Sequence, residues 1–422
     1  MRRRSLWFVA GITIASTSVA IVGIQWRAAG AEDAEARARA LLDASLAEAP
    51  ELDDIEATEA MAALDEAIEL GADGLAGLRA YAEALTYLHA GDLIFAEGSL
   101  TEARHQDGWS PDLRVLAAAI ARSKQEHHQA EIHANEALGA DPEHPRALLM
   151  HADLALDEHD SRGALVALGR LVELAPRLAG LHNRRGLALE MADERDAARD
   201  AFERAIELSP DLPEPHINLG RIARADGDLA RARTAFERAT RLAADADAWL
   251  GLALCALDED DLDVATRGFQ RAMELAPHDV SGRIGLADVA LRRGMPDDAL
   301  DHYRAALREA PHHAAVWVKL GNLLVAQRDL NGAEEAFERA IRNGPHLAAA
   351  HNGMGATLMQ LGRDAEAERA LERAAELDPA DPHPMMNLAL MRERAGRADA
   401  ARDAWREALR RDPESIVARS HL

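Results

Sequence analysis

The sequence predicts an all-α protein: a solenoid of tandem helical hairpins behind an N-terminal hydrophobic helix. Three observations lead there. Prolines fall at 142, 176, 210, 277, 311, 345, 379 and 413, evenly spaced apart from one gap of nearly double width between 210 and 277. A phrase recurs in register with them: 201–208 (AFERAIEL), 235–242 (AFERATRL), 268–275 (GFQRAMEL), 336–343 (AFERAIRN) and 370–377 (ALERAAEL). The 422 residues are 48% apolar but only 4% aromatic, so the core must be built from Ala and Leu. A fixed period of this kind marks stacked supersecondary units and overrides the roughly two to four globular domains that length alone suggests.

Charge and cysteine content narrow the function. The 48 Lys+Arg face 73 Asp+Glu, a net charge of −25, which argues against nucleic-acid binding because phosphate backbones reward cations. One cysteine excludes an internal disulfide framework and every multi-cysteine metal site. All cations except Lys124 and Lys319 are arginine, a composition resembling high-GC bacterial coding.

Residues 1–31 hold Arg2, Arg3, Arg4 and Arg27 and no acid, which leaves −29 for the rest. Between them Leu6 to Trp26 is an unbroken run without a formal charge. As a helix it spans the roughly 30 Å hydrocarbon layer. Trp7 and Trp26 stand near its ends, where amphipathic rings favour the membrane interface. Arginines before the run and acids soon after it place the N-terminus in the cytoplasm and the body across the membrane. The expectation is therefore a retained anchor through Leu6, Trp7 and Trp26, in the bacterial inner membrane with the body in the periplasm. Ala29-Gly30-Ala31 offers the alternative of cleavage after Ala31, giving a periplasmic or secreted chain that begins at Glu32. The apolar run exceeds the about 7–15 residues of a signal core.

Residues 32–76 are rich in Ala, Glu and Asp, and Ala60 to Leu70 has the pattern of a second helix, which predicts an N-terminal cap or degenerate repeat. From there units begin at 77, 111, 145, 179, 213, 246, 280, 314, 348 and 382, ten in all. Each reads as two helices. In 314–345, Val316, Leu320, Leu323 and Leu324 recur at helical spacing. A polar break follows at Arg328-Asp329, and Ala333, Ala336, Phe337 and Ala340 form the face of the second helix. Gly344-Pro345 ends that helix, because glycine accepts a left-handed stop and proline cannot continue the ladder. Elsewhere the break is Gly227-Asp228, Gly294, Gly362 or Gly396. The solenoid occupies 77–415. Its last helix carries Arg402, Arg406, Arg410 and Arg411, polar enough to face water as a cap, and 416–422 form a short tail.

This pattern resembles the tetratricopeptide repeat (TPR), a helix-turn-helix unit of about 34 residues. Counting each unit's first residue as position 1, the family has a large residue at 4, filled here by Trp249 and Trp317. Leu then Gly or Ala stand at 7 and 8, as in Leu219-Gly220 and Leu320-Gly321, and Ala stands at 20, as in Ala198, Ala232 and Ala333. The aromatic of position 24 is Phe202, Phe236, Phe269, Tyr303, Phe337 or Trp405. Small residues let helix axes approach while the aromatic fills the gap between units. The resemblance implies a right-handed superhelix whose concave wall, lined by positions 2, 5, 6, 9, 12 and 13, holds a partner's peptide or helix. Residue by residue that wall takes in Asn183, Arg184, Asn218, Arg221, Asp288, Lys319, Asn322, Asn352 and Asn387. Its apolar positions include Leu149, Ile217, Leu254, Ile284, Val318, Met359, Met386 and Leu390. Asn donors would bond a partner's backbone while apolar pockets take its side chains. No unit carries the Lys-5/Asn-9 pair of chaperone-tail clamps, and Gly251, Gly285 and Gly353 interrupt the asparagine ladder of position 6.

Other chemistry is weak. His128 and His133 are five apart, whereas metal pairs on a helix stand three or four apart. Asp258 to Asp263 lacks the Gly and a ligand of a calcium loop, and Cys255 reads as a buried inert thiol. Gly353-Met-Gly355 follows no strand and is no nucleotide loop. The sequence thus predicts no cofactor, no metal and no catalysis. It predicts a membrane-anchored scaffold that assembles proteins in the bacterial cell envelope. The alternatives are a cleaved soluble adaptor, or the recruiting arm of an envelope enzyme such as a glycosyltransferase.

Overall fold

The computed structural model describes residues 25–44, 54–70, 72 and 74–422, and among them finds helices and turns but no strand. Leu6, Trp7 and the expected membrane span up to residue 24 lie outside the described residues. Among those described, no helix is long and apolar enough to cross a membrane. Trp26 falls in helix α1 (Gln25–Ala44), which runs through the Ala29–Ala31 cleavage motif and past the boundary expected at residue 31. The reason is a buried stripe: Ala31, Ala34, Ala38 and Leu42 all face the core at intervals of three or four.

The chain divides into two compact units, the first ending at Ile222 and the second beginning at Ala223. In the first, α1 and α2 (Asp54–Glu69) form a hairpin, followed by α3/α4 (Ala76–His89, Leu93–Asp107), α5/α6 (Pro111–Ser123, His127–Ala140), α7/α8 (Pro145–Asp157, Ser161–Leu174) and α9/α10 (Ala179–Met191, Arg195–Leu208). Helix α11 (Pro213–Ala225) contains the division. In the second, α12 (Leu229–Leu242) precedes α13/α14 (Ala246–Asp258, Leu262–Leu275), α15/α16 (Ser281–Arg292, Pro296–Glu309), α17/α18 (Ala314–Ala326, Leu330–Asn343), α19/α20 (Ala348–Gln360, Asp364–Leu377) and α21/α22 (His383–Arg394, Ala398–Arg411). The expected C-terminal tail folds into α23 (Ile416–Ser420), and His421 stacks on Trp405 at 4.4 Å.

Local chemistry sets the hairpins. At the fifteenth position of every unit from 77 to 382 the backbone takes a positive φ, with glycine there in Gly91, Gly227, Gly294, Gly362 and Gly396 but not in Gln125, His159, Asp193, Asp260 or Arg328. The next residue is often an aspartate that accepts an N–H from the first turn of the second helix, as Asp228 does from Arg231 and Asp329 from Gly332. Asp261 does the same for Val264, so the acidic run that falls short of a calcium loop is a helix start. Between hairpins, the residue at position 4 reaches back to the carbonyl of the proline that ends the preceding unit. His182 bonds Pro176 at 3.0 Å, His216 bonds Pro210 at 3.3 Å, Trp317 bonds Pro311 at 2.8 Å and His351 bonds Pro345 at 3.0 Å. A carbonyl only accepts, so each imidazole carries its proton on Nε2.

Within a core mostly of Ala and Leu, position 24 supplies buried aromatics, several of them seated in glycine notches. Phe202, Phe236, Phe269, Tyr303, Phe337 and Trp405 are all fully buried. A Cβ on Gly251 would stand 2.2 Å from Phe236, on Gly285 2.3 Å from Phe269, and on Gly353 2.3 Å from Phe337. These three glycines, which in the sequence interrupt a ligand ladder, are seats for the aromatic of the preceding hairpin.

Candidate partner-binding faces

First helices of successive hairpins touch, as α5 with α7, α13 with α15 and α17 with α19, so their outward polar residues form continuous strips. In the first unit, Arg122 bonds Asp157 at 2.6 Å and lies 3.5 Å from Asp153, which also accepts from Arg184 Nε at 3.0 Å. Asn218 donates to Asn183 at 3.0 Å and accepts from Arg221 at 3.2 Å, while Arg221 also reaches Glu190 at 2.9 Å. The second carboxylate oxygen of Glu190 is buried with no hydrogen-bond partner among the described residues. Burial pushes Asp153 up to about 6 against the pull of Arg122, and burial likewise lowers Arg184.

In the second unit, Asp288 accepts from Lys319 Nζ at 2.7 and 2.9 Å and from the Tyr303 hydroxyl at 2.5 Å. Burial, reinforced by this bond to a carboxylate, holds the Tyr303 hydroxyl well above the ordinary phenol range. Asn387 donates to Asn352 at 2.9 Å. Asn322 is exposed on the same helix as Lys319, and its side chain makes no hydrogen bond among the described residues. Half-buried Met359, Met386 and Leu390 supply apolar surface on the wall positions around the Asn352–Asn387 pair.

The structure thus joins the wall residues in pairs rather than leaving each to solvent. The pairs have two spacings. Position 9 meets position 6 of the next hairpin in Asp153–Arg184 and Asp288–Lys319, both with a sequence separation of 31. Position 5 meets position 6 in both Asn–Asn bonds, with a separation of 35. Sequence reasoning named both partners of Asn183–Asn218, Asp288–Lys319 and Asn352–Asn387 without pairing them, missed Asp153 and Glu190, and placed Tyr303 in the core alone. An acid standing at the shorter of these separations before a cation was the available signal.

The N-terminal end of the first unit is closed by its own chain. Arg146, only 5% exposed, donates to Asp112 at 3.0 Å, to the Tyr81 hydroxyl at 3.3 Å and to the backbone carbonyl of Leu42 near the end of α1. His144 lies 3.4 Å from Asp112. Burial raises the Asp112 carboxyl, but His144 and Arg146 together hold it below the usual range. Asp112, Arg146 and Tyr81 occupy wall positions 2 and 5, so α1 takes up surface that the resemblance assigns to a partner.

Against known proteins, residues 149–213 and 217–280 match the tetratricopeptide repeat family, and residues 265–414 match the C-terminal domain of cilia and flagella-associated protein 70. No curated protein shows significant sequence similarity to the chain. Among solved structures, yeast Tom70 aligns with 93% of this chain and 95% of its own at a TM-score of 0.50 and 16% identity. The APC/C hetero-tetramer Cut9–Hcn1 aligns over 99% of this chain and 93% of its own at a TM-score of 0.53 and 15% identity. At such identities the likeness is one of fold.

Proposed function

We propose that this chain, which carries tetratricopeptide repeats, is a non-enzymatic scaffold that holds a peptide or helical segment of another protein along its first-helix faces. On this reading all ten units from 77 to 415 are repeats. Residues Leu6 to Trp26 anchor the chain in the bacterial inner membrane, and its body works in the periplasm to assemble envelope proteins. One observation carries the reading. Polar side chains of successive first helices meet at fixed spacings, in Asn183–Asn218, Asp288–Lys319 and Asn352–Asn387, beside half-buried Met359, Met386 and Leu390. Such strips offer amide and charged groups to a backbone and soft apolar surface to its side chains.

The experiment is a crosslinking pull-down from membranes with wild type and a Lys319→Ala/Asn322→Ala variant. Lys319 is 42% exposed, so losing its ion pair costs at most about 1 kcal/mol, and the fold survives. The variant should recover its partners at least about tenfold less, a loss within the range of interface truncations. Unchanged recovery refutes the wall assignment in the second unit. Mass spectrometry of the mature N-terminus tests the anchor: a chain beginning at Glu32 refutes it.

A further inference from the structure

The second unit holds another concave feature, walled by second helices over a first-helix floor. Between α16 and α18 lies a groove of about 1050 Å³ whose floor is Trp317, Leu320 and Leu324. Trp317 is fixed by its bond to the Pro311 carbonyl, and the Arg339 guanidinium lies 4.9 Å over its ring. Arg339 is itself paired with Glu335 at 2.6 Å.

The chain departs from its own repeat at this groove. Positions 25, 26 and 29 read Glu203, Arg204 and Glu207 in the unit from 179, and Glu372, Arg373 and Glu376 in the unit from 348. There the arginine folds onto the second glutamate, Arg204–Glu207 at 2.7 Å and Arg373–Glu376 at 2.9 Å. In the unit from 280 the same positions are Arg304, Ala305 and Arg308. Ala305 in place of arginine empties space along the groove wall. Arg304 and Arg308, one helical turn apart and exposed, pair with no carboxylate among the described residues. Of the acids beside them, Asp329 caps α18 and Glu335 is held by Arg339, which leaves Asp301 alone against two free guanidinium groups.

We propose that this groove is a second docking site, distinct from the first-helix strips, for an acidic segment of a partner protein. A carboxylate of that segment sits between Arg304 and Arg308, and an apolar side chain packs in the groove beside Trp317, whose ring carries the Arg339 guanidinium. Guanidinium forks suit carboxylates, and an aromatic floor supplies the desolvated anchor that such contacts need.

The test uses the full chain and a fluorescent peptide of three Glu-Leu-Glu-Trp repeats, with a Gln-for-Glu counterpart. Wild type should bind the Glu peptide at least about tenfold tighter than the Gln peptide, as a charge-assisted pair requires. Ala305→Arg restores the residue other units carry, so it keeps the fold while filling the groove, and it should lose about tenfold in affinity. The pair Arg304→Glu/Arg308→Glu should lose as much, and Asn387→Ala on the first-helix strip should change nothing. Equal binding of the two peptides, no binding by wild type, or a loss in Asn387→Ala with Ala305→Arg unaffected would overturn the groove assignment.

Discussion

Arg328 holds φ at +67° at the position where Gly362 and Gly396 hold +75° and +72°. A side chain in the left-handed region costs about 1–2 kcal/mol that glycine does not incur. Arg328→Gly should therefore raise stability by up to about 1 kcal/mol, the more flexible unfolded glycine offsetting part of the gain, and Gly362→Ala should lower it by about 1 kcal/mol. Urea midpoints measure both. The glycine breaks were legible because a glycine between two helical stretches marks a turn. That Gln125, His159, Asp193, Asp260 and Arg328 share the same twist was not, since these turn residues lack glycine's freedom and take it from the flanking helices already in register. Cys255 behaves as its surroundings dictate: fully buried, its thiol is pushed up to about 11, chiefly by desolvation. Iodoacetamide at pH 8 should leave it unmodified until the chain is unfolded. As pH rises from about 9 to about 11 the unfolded chain ionises this thiol before the folded one does, so its contribution to stability falls across that window.

At the scale of the hairpin, the aromatic and its glycine notch decide the packing. A Cβ on Gly251 would meet the Phe236 ring at 2.2 Å, a distance no rotamer relieves without moving the ring or the helix. Gly251→Ala should cost about 1–3 kcal/mol by overpacking, read as a lower melting temperature. The double change Gly251→Ala/Phe236→Leu should recover part of it. Here the sequence spoke clearly about which residues recur and less clearly about why. Leu-Gly at 7 and 8 and Phe at 24 announced the hairpins, yet glycine at 6 looked like missing ligand surface. The polar pairs were half legible, because a partner one repeat away becomes visible only once the first helices are laid side by side. The position-4 tether escaped entirely: His, Trp and, in Arg419 to Pro413 at 3.2 Å, Arg share nothing but an N–H at the right reach.

At the scale of the whole chain, stacked hairpins mostly meet their immediate neighbours, so damage should stay local. Phe236→Ala removes a fully buried ring and should cost about 3–5 kcal/mol. Hydrogen exchange should report the loss first in α12, α13 and α14, with α20 to α22 nearly unaffected. Uniform loss of protection along the chain would contradict nearest-neighbour coupling. The repeat was readable at this scale because identical local rules were applied over and over.

The grip of Arg146 on the Leu42 carbonyl breaks that rule, for it ties positions 104 apart in the chain and skips two intervening hairpins. No period announces such a stitch. It means the amino-terminal half is fastened at more than its neighbouring links: trimming α1 would take one acceptor from Arg146, leave it to Asp112 and Tyr81, and open that stretch of surface to water.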